Sequence, residues 1–90
     1  MKVHPTIHSV LYIDLELNCP DRVRQGDPEI IEIGIAELDT TSLSIVRERD
    51  YLVLPYRDIS RLCTKITGLT SDDFKGAQAF KDVIAEIIAE

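Results

Sequence analysis

The stretch that decides the fold is Val10 to Glu16, which reads Val-Leu-Tyr-Ile-Asp-Leu-Glu. Its β-branched and aromatic residues favour a strand, and two carboxylates, Asp14 and Glu16, stand at the end of that strand. Side chains alternate along a strand, so these two carboxylates point to the same face, and apolar residues cover both faces before them. The pattern predicts a central strand that is covered on both sides.

The acidic pair, Asp14 and Glu16, is the first candidate for a functional site. Two carboxylates at the end of a buried strand repel one another and lose hydration, so such a pair usually needs a bound cation. Hard oxygen ligands favour Mg²⁺ or Mn²⁺. The alternative is that both acids only mark the strand end and reach solvent, and their spacing alone does not decide between the two interpretations.

The composition limits the classes of protein to which the chain can belong. Ninety residues with 44% hydrophobic content suit one small domain. The sequence has no run near the roughly 20 apolar residues that span a bilayer, and its start lacks a signal peptide, so a cytoplasmic location is expected. Cys19 and Cys63 show no zinc-binding spacing and are expected to be reduced thiols. A net charge of −6 argues against a broad electrostatic grip on nucleic acid, so any such contact must be local.

Loops flank the first strand. Residues Met1 to Thr6 are expected to form a loose leader, and neither His4 nor His8 is assigned a role. From Leu17 to Pro28 the residues are mostly polar or turn-forming, which predicts a loop whose start lines any pocket formed by the acidic pair. Its cations, Arg22 and Arg24, suit either a solvated loop or a phosphate contact.

Two further strands follow. Residues Glu29 to Asp39 form the second, with Ile31, Ile33 and Ile35 expected on one face. Gly34 and Ala36, on the other face, suggest that something packs closely above them. After a turn at 39–42, the third strand covers 44–54, and its run of charges at 47–50 predicts an edge. The short connections predict an antiparallel meander.

The last third of the chain predicts helices. Asp58 or Ser60 can cap a short helix that runs through Ile66 and ends at Gly68. Thr70 and Asp73 resemble a capping box for one further turn, broken at Gly76. The final helix carries an apolar stripe that predicts packing on the sheet, formed by Phe80, Val83, Ile84, Ile87 and Ile88. No stop signal follows it, so the chain is expected to end within an element.

These pieces in this order resemble a known family. The residues that carry the resemblance are Asp14-Leu-Glu16 followed by Leu17-Asn-Cys19, then Glu29-Ile-Ile-Glu-Ile-Gly34, the strand ending in Leu54-Pro55, Ile66-Thr-Gly-Leu-Thr70 and the amphipathic helix. Together they resemble the N-terminal half of a DEDDh 3′-5′ exonuclease. Within the ribonuclease T and proofreading-exonuclease superfamily, the ERI-type RNA exonucleases are most similar. The resemblance covers about Val10 to Glu90.

The resemblance implies an α/β, ribonuclease H-like fold in which three antiparallel strands lead a mixed sheet. Residues 1–90 would be the N-terminal part of a single exonuclease domain, and taken alone they would be α+β. Asp14 and Glu16 would be catalytic metal ligands for two Mg²⁺ or Mn²⁺ ions, with Asp14 shared by both. Leu17, Asn18 and Ile66 would contact the terminal nucleotide of single-stranded RNA or DNA. Leu17 stands where smaller residues are common in the family.

The sequence departs from the family in one respect. The second Asp motif, the general-base His and the final Asp, which the family carries after the amphipathic helix, do not occur in residues 1–90. By the resemblance, this chain alone is expected to be inactive, and the strands that would pair beside the first strand are not present. An exposed strand edge then predicts self-association. The alternative function is a non-catalytic binding or self-assembly module built on the same fold.

Overall fold

The structure is a computed structural model that describes residues 6–22 and 26–89. It contains strands β1 (Ser9–Asn18), β2 (Glu29–Asp39) and β3 (Ser44–Leu52), helix α1 (Arg61–Thr67), a 3-10 turn (Ser71–Phe74) and helix α2 (Phe80–Ile88). The predictions about the leader before Thr6, His4, Arg24 and Glu90 fall outside the described residues. Within the described ranges, no helix is long and apolar enough to cross a membrane.

The three strands form one antiparallel sheet in the order β1-β2-β3, which confirms the predicted meander. β1 extends further than predicted, because Leu17 and Asn18 pair with the first residues of β2, and the loop therefore begins after Asn18. In the part of the chain that the structure describes, β1 pairs with β2 alone. Among the described residues β1 is therefore an edge strand. Leu11 and Ile13 are 58% and 62% exposed, so the prediction of cover on both faces is wrong for these residues.

A β-bulge interrupts the pairing of β1 with β2. Glu16 faces Glu32, whereas Leu17 faces Ile30, so Ile31 is an extra residue without a partner on β1. Extra residues of this kind locally reverse the alternation of side chains. Ile31 and Ile33 were predicted to share a face, and in the structure these two side chains enter different hydrophobic clusters.

Two clusters make up the core. Ile31 packs with Cys63 of α1 and with Phe74 of the 3-10 turn. Ile33 packs with Val53 and with Val83 of α2, which confirms that α2 lies on the sheet. The stripe of α2 is shorter than predicted, since Ile88 is 77% exposed.

The helix boundaries follow the predicted signals closely. Ser60 caps α1, because its Oγ accepts a hydrogen bond from the Cys63 N–H at 2.9 Å, and Gly68 ends the helix in the left-handed conformation with a φ of 79°. Thr70 and Asp73 form the predicted capping box at the 3-10 turn. β3 ends at Leu52, two residues earlier than predicted, because the chain then turns to a parallel bridge between Val53 and Gln78.

Candidate active site

The acidic pair lies near the end of β1, on one face of the sheet. Asp14 is exposed and faces Gly34 of β2, whereas Glu16 is half-buried and faces Glu32. A Cβ atom built on Gly34 would lie 3.9 Å from the Asp14 Cβ and 3.8 Å from Asp50 Oδ1, in ordinary van der Waals contact. The absence of a side chain at position 34 therefore leaves the space between these two carboxylates open.

Two further carboxylates, which the sequence analysis missed, lie beside the acidic pair. Glu32 and Asp50 share a side-chain hydrogen bond, which raises the pKa of Glu32 from 4.5 to about 7. Desolvation and the negative charges of Asp50, Glu16 and Asp14 are smaller contributions to the same rise. The signal in the sequence was a charged residue, Glu32, between the isoleucines of β2, but its neighbours on the other strands became known only with the strand register.

An open cavity of about 430 Å³ adjoins Asp14 on this face of the sheet. It is lined by Tyr12, Ile13, Asp14, Gly34, Ile35, Ala36, Glu48, Arg49 and Asp50. The small residues Gly34 and Ala36 were predicted to lie beneath a closely packed group. Within the described ranges they form part of the wall of this cavity instead.

The three residues expected to contact a nucleotide lie where β1 meets α1. Leu17 is 41% exposed and Ile66 is 72% exposed, so both side chains are accessible. The carbonyl of Leu17 lies 3.6 Å from the Sγ of Cys63, which ties the end of β1 to the helix that carries Ile66. Asn18 differs from both, since it is only 3% exposed.

The side-chain amide of Asn18 is engaged on both sides by protein groups. Its Nδ2 donates to the Asp58 carbonyl at 3.2 Å and lies 3.5 Å from Glu29 Oε2, while its Oδ1 accepts from the Ser60 N–H at 3.0 Å. These protein groups therefore occupy the polar atoms of the Asn18 side chain, and the residue as a whole exposes little surface to a ligand. The nucleotide-binding roles of Leu17, Asn18 and Ile66 remain predictions.

The donor set on this face suits a hard divalent cation. Within residues 6–22 and 26–89, no three side chains of His, Cys, Asp or Glu are arranged to hold one metal ion. The acidic pair nevertheless supplies carboxylate oxygens, which are the donors that Mg²⁺ and Mn²⁺ prefer. Nearby negative charges contribute to the raised pKa of Glu32 on this face of the sheet. A bound cation would reduce the repulsion between these carboxylates.

Comparison with known proteins agrees with this arrangement. Residues 11–89 match the RNase_T family, which is described as exonuclease. The 3′-5′ exoribonuclease 1 of Rattus norvegicus is 33% identical over 86 residues, which cover 88% of this chain and 24% of that protein. The chain thus spans about a quarter of the length of this curated relative.

Solved structures extend the likeness to the fold. The nuclease domain of 3′hExo, a DEDDh family member bound to rAMP, superposes with a TM-score of 0.86 at 27% identity, over 97% of this chain and 45% of that one. A 3′-exonuclease in a structure of 3′-end-specific recognition of histone mRNA stem-loop gives 0.83 at 28% identity, over 91% of this chain and 29% of that one. These matches confirm the ribonuclease H-like exonuclease fold and the resemblance to DEDDh exonucleases, and the chain belongs to the RNase_T exonuclease family.

Proposed function

We propose that the protein is a 3′-5′ exonuclease that hydrolyses phosphodiester bonds at the 3′ end of single-stranded nucleic acid. One observation carries the proposal: two carboxylates, Asp14 and Glu16, lie on one face near the end of β1, inside the region that matches an exonuclease family. Residues 1–90 would form the N-terminal part of a single exonuclease domain.

The acidic pair would hold the divalent cations, Mg²⁺ or Mn²⁺, that this family generally uses. When bound, two such ions supply an activated water and stabilise the departing 3′ oxygen. The negative environment that raises the pKa of Glu32 supports cation binding at this face. Asp14 is exposed and so is accessible to both the ions and a substrate phosphate.

The terminal nucleotide would lie between the end of β1 and α1. The exposed side chains of Leu17 and Ile66 would contact its base or sugar, and Asn18, which is 3% exposed, would contact it only at that small exposed surface. The net charge of −6 favours a local grip of this kind over broad contact with phosphates. RNA is the substrate to test first, since the curated relative is an exoribonuclease and a structural relative binds rAMP.

Self-association through β1 is a second proposal, which a separate observation supports. Leu11, Ile13 and Leu15 are 58%, 62% and 44% exposed on the strand that pairs with β2 alone among the described residues. Unpaired backbone groups beside exposed apolar side chains form a template for another strand. This property is compatible with the exonuclease function, and it would also suit a non-catalytic assembly module.

The experiment that tests the exonuclease function uses the protein in its longest natural reading frame. With Mg²⁺, the protein should shorten a single-stranded oligoribonucleotide from its 3′ end, and Asp14→Ala should abolish this activity. Residues 1–90 alone, which carry only the first motif implied by the resemblance, should be inactive. An Asp14→Ala variant that degrades RNA as fast as the parent would show that the acidic pair is not the active site.

A further inference from the structure

The carboxylate of Glu29, at the first position of β2, is the centre of a hydrogen-bond network. Its side chain is 14% exposed. Oε1 accepts from the Tyr56 N–H at 2.6 Å, and Oε2 accepts from Arg57 Nε at 3.2 Å and from Asn18 Nδ2 at 3.5 Å. Charged acceptors that are largely buried form the stronger hydrogen bonds in proteins. Glu29 therefore joins the end of β1 to the segment between β3 and α1.

A second contact of this network involves the segment just before β2. The guanidinium of Arg57 also donates to the Asp27 carbonyl. Gly26 adjoins that guanidinium so closely that a Cβ atom at position 26 would collide with it, and its φ of 138° also favours glycine. Glycine at position 26 thus leaves room for the guanidinium of Arg57, which pairs with Glu29.

The side chain of Asn18 links Glu29 by hydrogen bonds to the residues just before α1. Its amide donates to the Asp58 carbonyl and accepts from the Ser60 N–H, so it uses both of its polar ends. A carboxylate of the same shape could accept from Ser60, but it could not donate to Asp58 or Glu29. The amide is therefore matched chemically to the position that it occupies.

Ser60 connects this hydrogen-bond network to the first turn of α1. Its Oγ accepts from the Cys63 N–H and donates to the Cys19 carbonyl at 2.5 Å. A second N–H of this turn, that of Leu62, donates to Asp21 Oδ1 at 2.8 Å. Since the first N–H groups of a helix lack partners within it, these bonds fasten α1 to the segment that follows the acidic pair.

We propose that Glu29 and Asn18 are positioning residues that fix α1 relative to the acidic pair and thereby set the fit of the terminal nucleotide against Ile66. This inference rests on the proposed exonuclease function. Neither side chain touches the reacting atoms. Because the contact made by Ile66 is present both before and during the chemical step, a displaced α1 weakens substrate binding uniformly, which raises KM and leaves kcat unchanged.

The test compares variants of the protein in its longest natural reading frame on a single-stranded oligoribonucleotide with Mg²⁺. Glu29→Gln keeps the shape and removes the charge, and Asn18→Asp keeps the shape and removes the donor. Each should raise KM about tenfold, the order expected for one lost hydrogen bond, with kcat within about twofold. The matched control is Asp39→Asn, at the opposite end of β2, where the carboxylate accepts from the Ser42 N–H at 2.7 Å. This control should keep the parental KM.

Amide hydrogen exchange at Ser60 and Leu62, measured on the same proteins, gives a readout that is independent of activity. Exchange at Leu62 should be faster in Glu29→Gln and in Asn18→Asp than in the parent and in the control, and exchange at Ser60 should be faster in Glu29→Gln. If Asn18→Asp fails to fold, Ser60→Ala replaces it, since this variant loses the cap of α1 and the bond to Cys19.

The outcomes separate the positioning role from the proposed function. A parent protein without nuclease activity overturns the proposed function, while exchange still shows whether the network holds α1. An active parent whose Glu29→Gln variant keeps its KM overturns the positioning role. If Asn18→Asp alone raises KM and exchange at Leu62 is unchanged, Asn18 contacts the nucleotide directly and the inference is also wrong.

Discussion

Glu32 of β2 and Asp50 of β3 share a side-chain hydrogen bond on the face of the sheet that carries the acidic pair. Two carboxyl groups can form such a bond only when one of them is protonated, and the pKa of Glu32 rises accordingly to about 7. At a pH above that value, the carboxylates of Glu32, Asp50, Asp14 and Glu16 place four negative charges on the same face of the sheet. The pair therefore makes this part of the sheet sensitive to protons and to cations.

The first prediction concerns pH. Glu32 titrates at about 7 in the folded chain and at 4.5 as a free side chain, so the folded state binds more protons between these values. Its contribution to the free energy of unfolding is present below about pH 4.5 and is lost as the pH rises toward 7. Urea unfolding of residues 1–90 at pH 5 and pH 7.5, with a chelator present, should show this loss. Glu32→Gln should reduce it, whereas Glu86→Gln, on the exposed surface of α2, should not.

The second prediction concerns the metal ion. Mn²⁺ should broaden NMR signals of residues 12–18 before others, because the acidic pair supplies the oxygen ligands. Binding should be weak, since within the described residues no three potential ligands converge. The double variant Asp14→Ala/Glu16→Ala should lose the selective broadening. Broadening spread evenly over the surface acids of the parent would contradict the proposed metal site.

The third prediction concerns the edge strand. Residues 1–90 should self-associate as the concentration rises, through the exposed β1. Leu11→Lys should shift the sedimentation coefficient toward that of a monomer, because a charge beside an exposed strand edge opposes pairing. Val46→Lys is the matched control, since Leu11 and Val46 are both 58% exposed but Val46 lies on β3, the opposite edge. A parent that remains monomeric at every concentration would refute association through β1.

The fourth prediction concerns the core. Ile31 is 0% exposed and packs between α1 and the 3-10 turn, so Ile31→Ala should lower the free energy of unfolding by about 2 to 5 kcal/mol. Ile88→Ala removes the same side chain at a position that is 77% exposed and should change it by less than about 0.5 kcal/mol. Chemical denaturation of both variants measures the difference. Equal effects would show that α2 buries Ile88 in solution.

Much of the fold could be predicted because its signals are local. The meander follows from short connections, and α1 follows from the capping hydroxyl of Ser60 and the left-handed Gly68. The bulge could not be predicted, since alternation along β2 looks regular until its pairing with β1 is known. The candidate site likewise combines residues placed by local geometry with residues placed by strand pairing. Asp14 and Glu16 share a face by local geometry, whereas Glu32 joins them only through the register of the sheet.

The extra residue at Ile31 also affects how β2 tolerates changes in chain length. Side-chain direction alternates along a strand, so one residue inserted or deleted between Gly34 and Ala36 would reverse the facing of the residues beyond it. At residues 30 and 31 an extra residue is already accommodated by a local irregularity of the ladder. A further residue inserted at the bulge can therefore be accommodated locally without turning the carboxylates of the sheet toward α2.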